Sequence, residues 1–225
     1  MISYEETLIR INNRGEIWIE SEYNGTRTSK QITIKQLCDL FAEMAGEAEA
    51  VKAVVSPALP RGCVGYAERT DGVVTVAIEY NEPHADVVYY NTKYENVPQP
   101  RMVFFYKVYQ ERIRESYVAC VSRKELFINN DTPLYRYPYS NVSGSFQICF
   151  GANALPKIKD LSQLAGLPYF FVSCPMNDDW YEGANRSGLV LRELLEITQG
   201  KEFDENILVD ASITFKQLFE KIGGV

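Results

Sequence analysis

Hydrophobic and polar residues alternate through the first thirty positions, in "TLIRIN" and again in "EIWIES", as they do along half-buried strands. Between these runs, Asn12, Asn13, Arg14 and Gly15 carry turn chemistry, and "RTSKQITI" continues the alternation, so the spacing predicts an N-terminal hairpin or meander. The period then changes. Ile34, Leu37, Cys38, Phe41 and Met44 fall on one helical face, and Thr33 with Gln36 has capping-box spacing, which predicts a helix from about 34 to 50 with Cys38 in the core. The prolines and glycine of "SPALPRG" then read as a connector.

Strand patterns dominate the middle of the chain: "GCVGYAE", "VVTVAIEY", "DVVYYN", "RMVFFYKVY" and "IRESYVACVS", with turn signals at Asp71-Gly72 and Glu82-Pro83. They predict an antiparallel meander, entered at its later strands through Pro98 and Pro100, which force an extended approach. Further on, the pattern predicts a short helix around "KIKDLSQLAG", a buried run "PYFFVSC" ending as an apolar strand, and a helix from Asn185 through "RSGLVLRELLEITQ" capped by Asn185. "ITFKQLFEKIGGV" repeats the capping pattern with Thr214 and Gln217, and its glycines read as helix termination. Its echo of "ITIKQLCDLF" follows from shared capping chemistry rather than from a duplicated domain.

Charge narrows the function classes. The balance of 23 basic against 30 acidic residues gives a net charge of -7, and no basic cluster offers a phosphate-tracking surface, so nucleic acid is not expected as a direct partner. No window approaches the apolar length of a membrane span, and the N-terminus lacks a basic segment leading into an apolar one, so no membrane partner and a cytoplasmic location are expected. Five cysteines, at 38, 63, 120, 149 and 174, lack disulfide-framework or zinc spacing, and the single histidine, His84, excludes most metal constellations. No metal or cofactor is expected. His84 itself, in "NEPHAD", reads as a surface turn residue.

The stretch "YPYSNVSGSFQICFGAN" carries the candidate chemistry, with Asn141 eight residues before Cys149. A cysteine thiolate is a nucleophile in its own right, and a side-chain amide can steady an oxyanion. In "FQICF" Cys149 also reads as a small buried residue, and Asn141 in "SNVSG" as a turn residue; both readings stay open on spacing alone. Cys174, after "YFFVS", reads as core rather than as a resolving thiol, as do Cys63 and Cys120 within strand runs. The oxygens of "MNDDW" lack calcium-loop spacing and read as a solvated loop.

The order of helix, strand meander, proline-rich approach, asparagine and cysteine resembles the ubiquitin-conjugating enzyme fold. There "HPN" stands eight residues before the catalytic cysteine; here Tyr139-Ser140-Asn141 takes its place, keeping the asparagine without the histidine and proline. The text "PQPRMVFF", "TPLYRYPYSNV", "ICFG" and "YFFVSC" is similar to a prokaryotic ubiquitin-conjugating-like family, protein B of the ParB-related, ThiF-related cassette, over roughly residues 33 to 185. Where such relatives have a histidine after the "FF-x-S" element, this chain has Pro175, Met176, Asn177 and Asp178.

The resemblance implies an α+β fold: a ubiquitin-conjugating-like core over 33–200 with a four-stranded antiparallel meander and flanking helices, an N-terminal β extension over 1–32, and a C-terminal helix over 201–225. It implies a thioester on Cys149 to a ubiquitin-like protein delivered by an adenylating enzyme, with Asn141 assisting. An acidic residue, Asp178 or its neighbour Asp179, would orient the incoming amine or take its proton. Two alternatives are a catalytically silent scaffold binding the same partners, and a phage or mobile-element protein that keeps the fold for an unrelated assembly role.

Overall fold

The computed structural model describes residues 7–23, 25–44 and 55–224. They fall into two compact units, Met1–Val55 and Ser56–Val225.

In the first unit β1 (Thr7–Ile11), β2 (Ile17–Tyr23) and β3 (Thr26–Ile32) form an antiparallel sheet in that order. The predicted turn is made by Asn12, whose Oδ1 accepts from the amides of Arg14 (2.9 Å) and Glu16 (3.0 Å), while Gly15 takes the left-handed conformation at φ 76°. Helix α1 (Ile34–Met44) opens on the expected box: the Gln36 amide donates to Thr33 Oγ1 at 3.2 Å, and the Thr33 amide to Gln36 Oε1 at 2.9 Å. The rest of the helix expected to residue 50 lies outside the described residues. Cys38 is exposed rather than core, because α1 buries only the stripe around Leu37 and leaves Ile34 and Phe41 in solvent as well.

The second unit is built on an antiparallel sheet of six strands. Its members in chain order are β4 (Cys63–Glu68), β5 (Val74–Tyr80), β8 (Arg101–Tyr109), β9 (Arg112–Val121), β10 (Pro133–Tyr135) and β11 (Asp210–Thr214). Between β5 and β8 the chain leaves this sheet to form a separate hairpin of β6 (His84–Tyr89) and β7 (Thr92–Pro98). "DVVYYN" therefore does not join the meander as its pattern suggested: its strand partner is β7, and β8 takes the place beside β5. Strand β7 is hard to read from its residues, because Asn96 adopts φ 54° and the register shifts between Ala85 and Val87.

Strand β8 is buried on both faces. Met102, Phe104 and Tyr106 point into one core, and Val103 and Phe105 into another, so both faces of its strand pattern are apolar. The second core is closed by α4 (Phe215–Gly223), with Phe105, Phe215 and Phe219 in mutual ring contact. Helix α4 carries the predicted capping box on Thr214 and Gln217, and ends on Gly224 in the left-handed conformation, as the terminal glycines predicted.

The larger core is covered by α2 (Leu167–Ser173) and α3 (Leu191–Thr198) with the β6–β7 hairpin. Two expectations fail here. "PYFFVSC" is helix α2 rather than strand: Pro168 sits in its first turn, where the missing N–H is harmless, and Phe171 and Val172 turn to one side into the core. Helix α3 begins at Leu191 rather than at Asn185, whose side chain instead accepts from the Ser187 amide (2.9 Å) and donates to the Pro138 carbonyl (2.7 Å). The short "LSQLAG" segment expected to be helical is a 3₁₀ turn capped by Asp160.

Tyrosines build much of the larger core. Tyr106, Tyr137 and Tyr139 are buried in the larger core with Tyr80. Desolvation pushes the Tyr80 phenol up to about 12, and raises Tyr106, Tyr137 and Tyr139 well above their ordinary value of 10.0. The folded state holds these protons more tightly than the unfolded state, so the stability they contribute is fully present below pH 10 and is lost as pH rises toward 12. Melting temperature should thus be flat from neutral pH to about pH 9 and fall steeply above pH 10. A mid-alkaline melting series checks this, and a flat profile through pH 11 would contradict it.

Packing around β8 makes a second test. Phe105→Ala should lower stability by about 3–5 kcal/mol, read as a shift in urea midpoint at constant slope. Phe127→Ala, at a side chain 78% exposed, should change it by less than about 0.5 kcal/mol.

Candidate functional site

The eight-residue interval between Asn141 and Cys149 is a closed miniature hairpin. Val142 bridges Ile148, the Ser143 amide donates to the Gln147 carbonyl at 2.9 Å, and the Phe146 amide turns back onto the Ser143 carbonyl. Gly144 and Ser145 are the tip, and the Ser143 hydroxyl accepts from the amides of Ser145 and Gln147. The loop is stitched to β9 by the Val118 amide on the Phe146 carbonyl and the Ile148 amide on the Ser116 carbonyl. At its base the Cys149 amide donates to the Asn141 carbonyl at 2.9 Å. The spacing of eight is therefore the length of this hairpin.

Asn141 is the residue on which the site turns. Its backbone is left-handed, φ 68°, a conformation asparagine tolerates better than most residues. Its Nδ2 donates to the Pro175 carbonyl at 2.9 Å, and its backbone amide to the Asp179 carbonyl at 3.3 Å. One residue thus ties the cysteine hairpin to the segment that follows α2. Upstream, Tyr139 and Ser140 are buried, and the Tyr139 hydroxyl donates to the Pro98 carbonyl at 2.6 Å, so the tyrosine in place of the "HPN" histidine anchors the hairpin to β7.

Cys149 is exposed. It opens onto a hollow of about 580 Å³ whose walls include Asn141, Asn153, Cys174, Asp179 and Trp180. The Gly151 amide donates to Cys149 Sγ at 3.4 Å. Asp179 is set by an Asx turn, with its amide donating to Asn177 Oδ1 at 2.8 Å and its Oδ2 accepting from Asn177 Nδ2 at 2.7 Å. Trp180 stands at the rim, half exposed and left-handed at φ 59°.

Asp178 does not join them. It lines a different hollow, and its carboxylate accepts from the hydroxyls of Tyr89 (2.7 Å) and Tyr90 (3.0 Å). Asp179 is thus among the residues that line the cysteine's hollow, while Asp178 clamps this segment to β6. The Met176 amide on the Val88 carbonyl and the Tyr90 amide on the Met176 carbonyl hold the same junction. His84 is also elsewhere, with Nε2 hydrogen bonded to the Lys201 carbonyl at 2.9 Å. Among the described residues no three His, Cys, Asp or Glu side chains gather as a metal site, and no helix is long and apolar enough to cross a membrane.

Asn153 and Trp180 were not legible as site residues, because nothing in their local sequence marks them. The acidic pair after α2 was visible, but which of the two lines the hollow depends on loop geometry.

The family model of prokaryotic E2 family D matches residues 72–211, more than half of the chain, and the chain belongs to that family. E2 denotes the ubiquitin-conjugating class, in agreement with the resemblance read from "YSNV" and "ICFG". No curated protein and no solved structure matches the chain.

The thiols differ in environment in a way that chemistry can read. Burial pushes the Cys120 thiol well up, and raises Cys63 and Cys174 to a lesser degree. Iodoacetamide at neutral pH should therefore modify Cys149 and Cys38 in the native protein well before Cys63, Cys174 and Cys120. Peptide mapping over time checks the order, and labelling of Cys149 no faster than Cys63 would remove it as an available nucleophile.

Proposed function

We propose that this protein carries a ubiquitin-like partner as a thioester on Cys149, as a conjugating component of the ParB-related, ThiF-related cassette. The observation that carries the reading is the exposed Cys149 sulfur, met by the Gly151 amide at 3.4 Å in a hollow that Asn141 and Asp179 also line. Membership of prokaryotic E2 family D supplies the class of partners: a ubiquitin-like protein and the enzyme that activates it.

In this mechanism the Cys149 thiolate attacks the activated C-terminal carbonyl of the ubiquitin-like protein. The bond to the activating enzyme breaks and a thioester forms. Cysteine is intrinsically nucleophilic enough that a dedicated histidine base is not obligatory for this attack. Asn141 Nδ2 has a second N–H beyond the one given to the Pro175 carbonyl, and that hydrogen is the donor available to a developing oxyanion. Such a donor contributes roughly 3–4 kcal/mol in comparable sites. An amine then attacks the thioester carbonyl, the C–S bond breaks as an amide forms, and the Cys149 thiolate leaves while the Asp179 carboxylate, held by Asn177, takes the amine's proton. Asp178 holds the segment in place through Tyr89 and Tyr90 rather than entering the chemistry.

Reconstitution with the adenylating enzyme and ubiquitin-like protein of the same gene neighbourhood tests the reading. A thiol-reducible conjugate should form, disappear with Cys149→Ser, and discharge to lysine roughly 10²–10³-fold more slowly with Asn141→Ala. Survival of the conjugate in Cys149→Ser with loss in Cys174→Ser would transfer the role to Cys174. If both partners bind and no conjugate forms, the protein acts as a scaffold of the same fold.

A further inference from the structure

The sequence puts Cys174 at the end of an apolar run, but the tertiary structure makes it the C-cap of α2, on the wall of the hollow that opens onto Cys149. The two cysteines are linked through one side-chain nitrogen. Asn153 Nδ2 lies 2.8 Å from the carbonyl of Phe150, the residue after Cys149, and 3.7 Å from Cys174 Sγ. Burial raises the Cys174 thiol first, with Cys149 as the second cause.

Their exposures are complementary. Cys149 is open to solvent and to an oxidant, whereas Cys174 is 5% exposed. The turn between them has room to move. Gly151 is left-handed at φ 58°, and nothing lies within 4 Å of where its Cβ would stand. A disulfide needs Cα atoms within about 7 Å, and closure of the pair would draw on this glycine turn.

We propose that Cys149 and Cys174 are a peroxide-sensitive pair that closes into an intramolecular disulfide, with hydroperoxides as the oxidant class. The Cys149 thiolate attacks the nearer peroxide oxygen, the O–O bond breaks, and the departing oxygen leaves as water or an alcohol after taking a proton. The sulfur, now a sulfenic acid, has given two electrons to the peroxide. Cys174 then loses its proton, its sulfur attacks the sulfenyl sulfur, and the S–O bond breaks as water departs, leaving the S–S bond. Closure spares Cys149 from irreversible oxidation and is undone by a dithiol. The pair requires only a reactive Cys149 and stands whether or not that sulfur carries a thioester.

Intact mass and disulfide mapping of the full chain test the pair, in a Cys38→Ser background that removes the other exposed thiol. After hydrogen peroxide the protein should lose the mass of two hydrogens, and its Cys149 and Cys174 peptides should be joined until dithiothreitol separates them. With Cys174→Ser added, Cys149 should instead gain two oxygens as a sulfinic acid that dithiothreitol does not reverse. The proposal is overturned if the protein with Cys174 intact gives the sulfinic acid without the linked peptides, or if the disulfide joins two molecules or uses Cys63. The first measurement needs no substitution at Cys174, so a misfolded variant leaves the test decisive. It also needs no partner protein, so its failure would leave the thioester reading standing.

Discussion

Burial of β8 on both faces is the constraint from which the second unit is built. A strand whose Met102, Phe104 and Tyr106 face one way and whose Val103 and Phe105 face the other must be covered twice. Helix α4 covers one side. The other side needs a larger cover, and the chain assembles it from the β6–β7 hairpin, α2, α3 and the tyrosine-rich segment at 137–139. That cover brings the C-terminal end of α2 beside the base of the Cys149 hairpin, so the candidate site is a consequence of how the core is closed.

Within that frame Asn141 converts packing into a site. Its carbonyl closes the cysteine hairpin, its side-chain amide holds the Pro175 carbonyl, and its own amide reaches the Asp179 carbonyl. All three bonds follow from a left-handed backbone that few side chains tolerate. Replacement by a β-branched residue would strain the turn and release the segment that carries Asp179. The same asparagine thus has a structural duty and an available second N–H, which makes the turn reading and the chemical reading compatible.

Much of the fold was legible because it rests on local rules. The strand alternation, the Asn12 turn, both capping boxes and the glycine stop after α4 depend on neighbours within about four residues, and each appeared where its residues predicted. The asparagine and cysteine were visible for a related reason: their interval is a hairpin, which is also local. Where the reading failed, distant contacts decided the outcome. "DVVYYN" has a strand pattern in either sheet, and only competition with β8 for the edge of β5 excludes it from the larger one. "PYFFVSC" is too short and too apolar for periodicity to separate helix from strand. Cys38 follows a helical stripe, but α1 buries little more of that stripe than Leu37.

The sequence by itself determined the element chemistry, the family and the pair Asn141–Cys149, because these are written in residue types at short separations. Tertiary structure alone decided which acidic residue and which second thiol line the cysteine's hollow. Asp178 and Asp179 are adjacent in sequence, yet one bonds to Tyr89 and Tyr90 and the other lines the hollow. Cys149 and Cys174 lie twenty-five residues apart, and they share that hollow because α2 must cover β8. Side-chain direction and long-range adjacency are set by closure of the core, which no local pattern encodes.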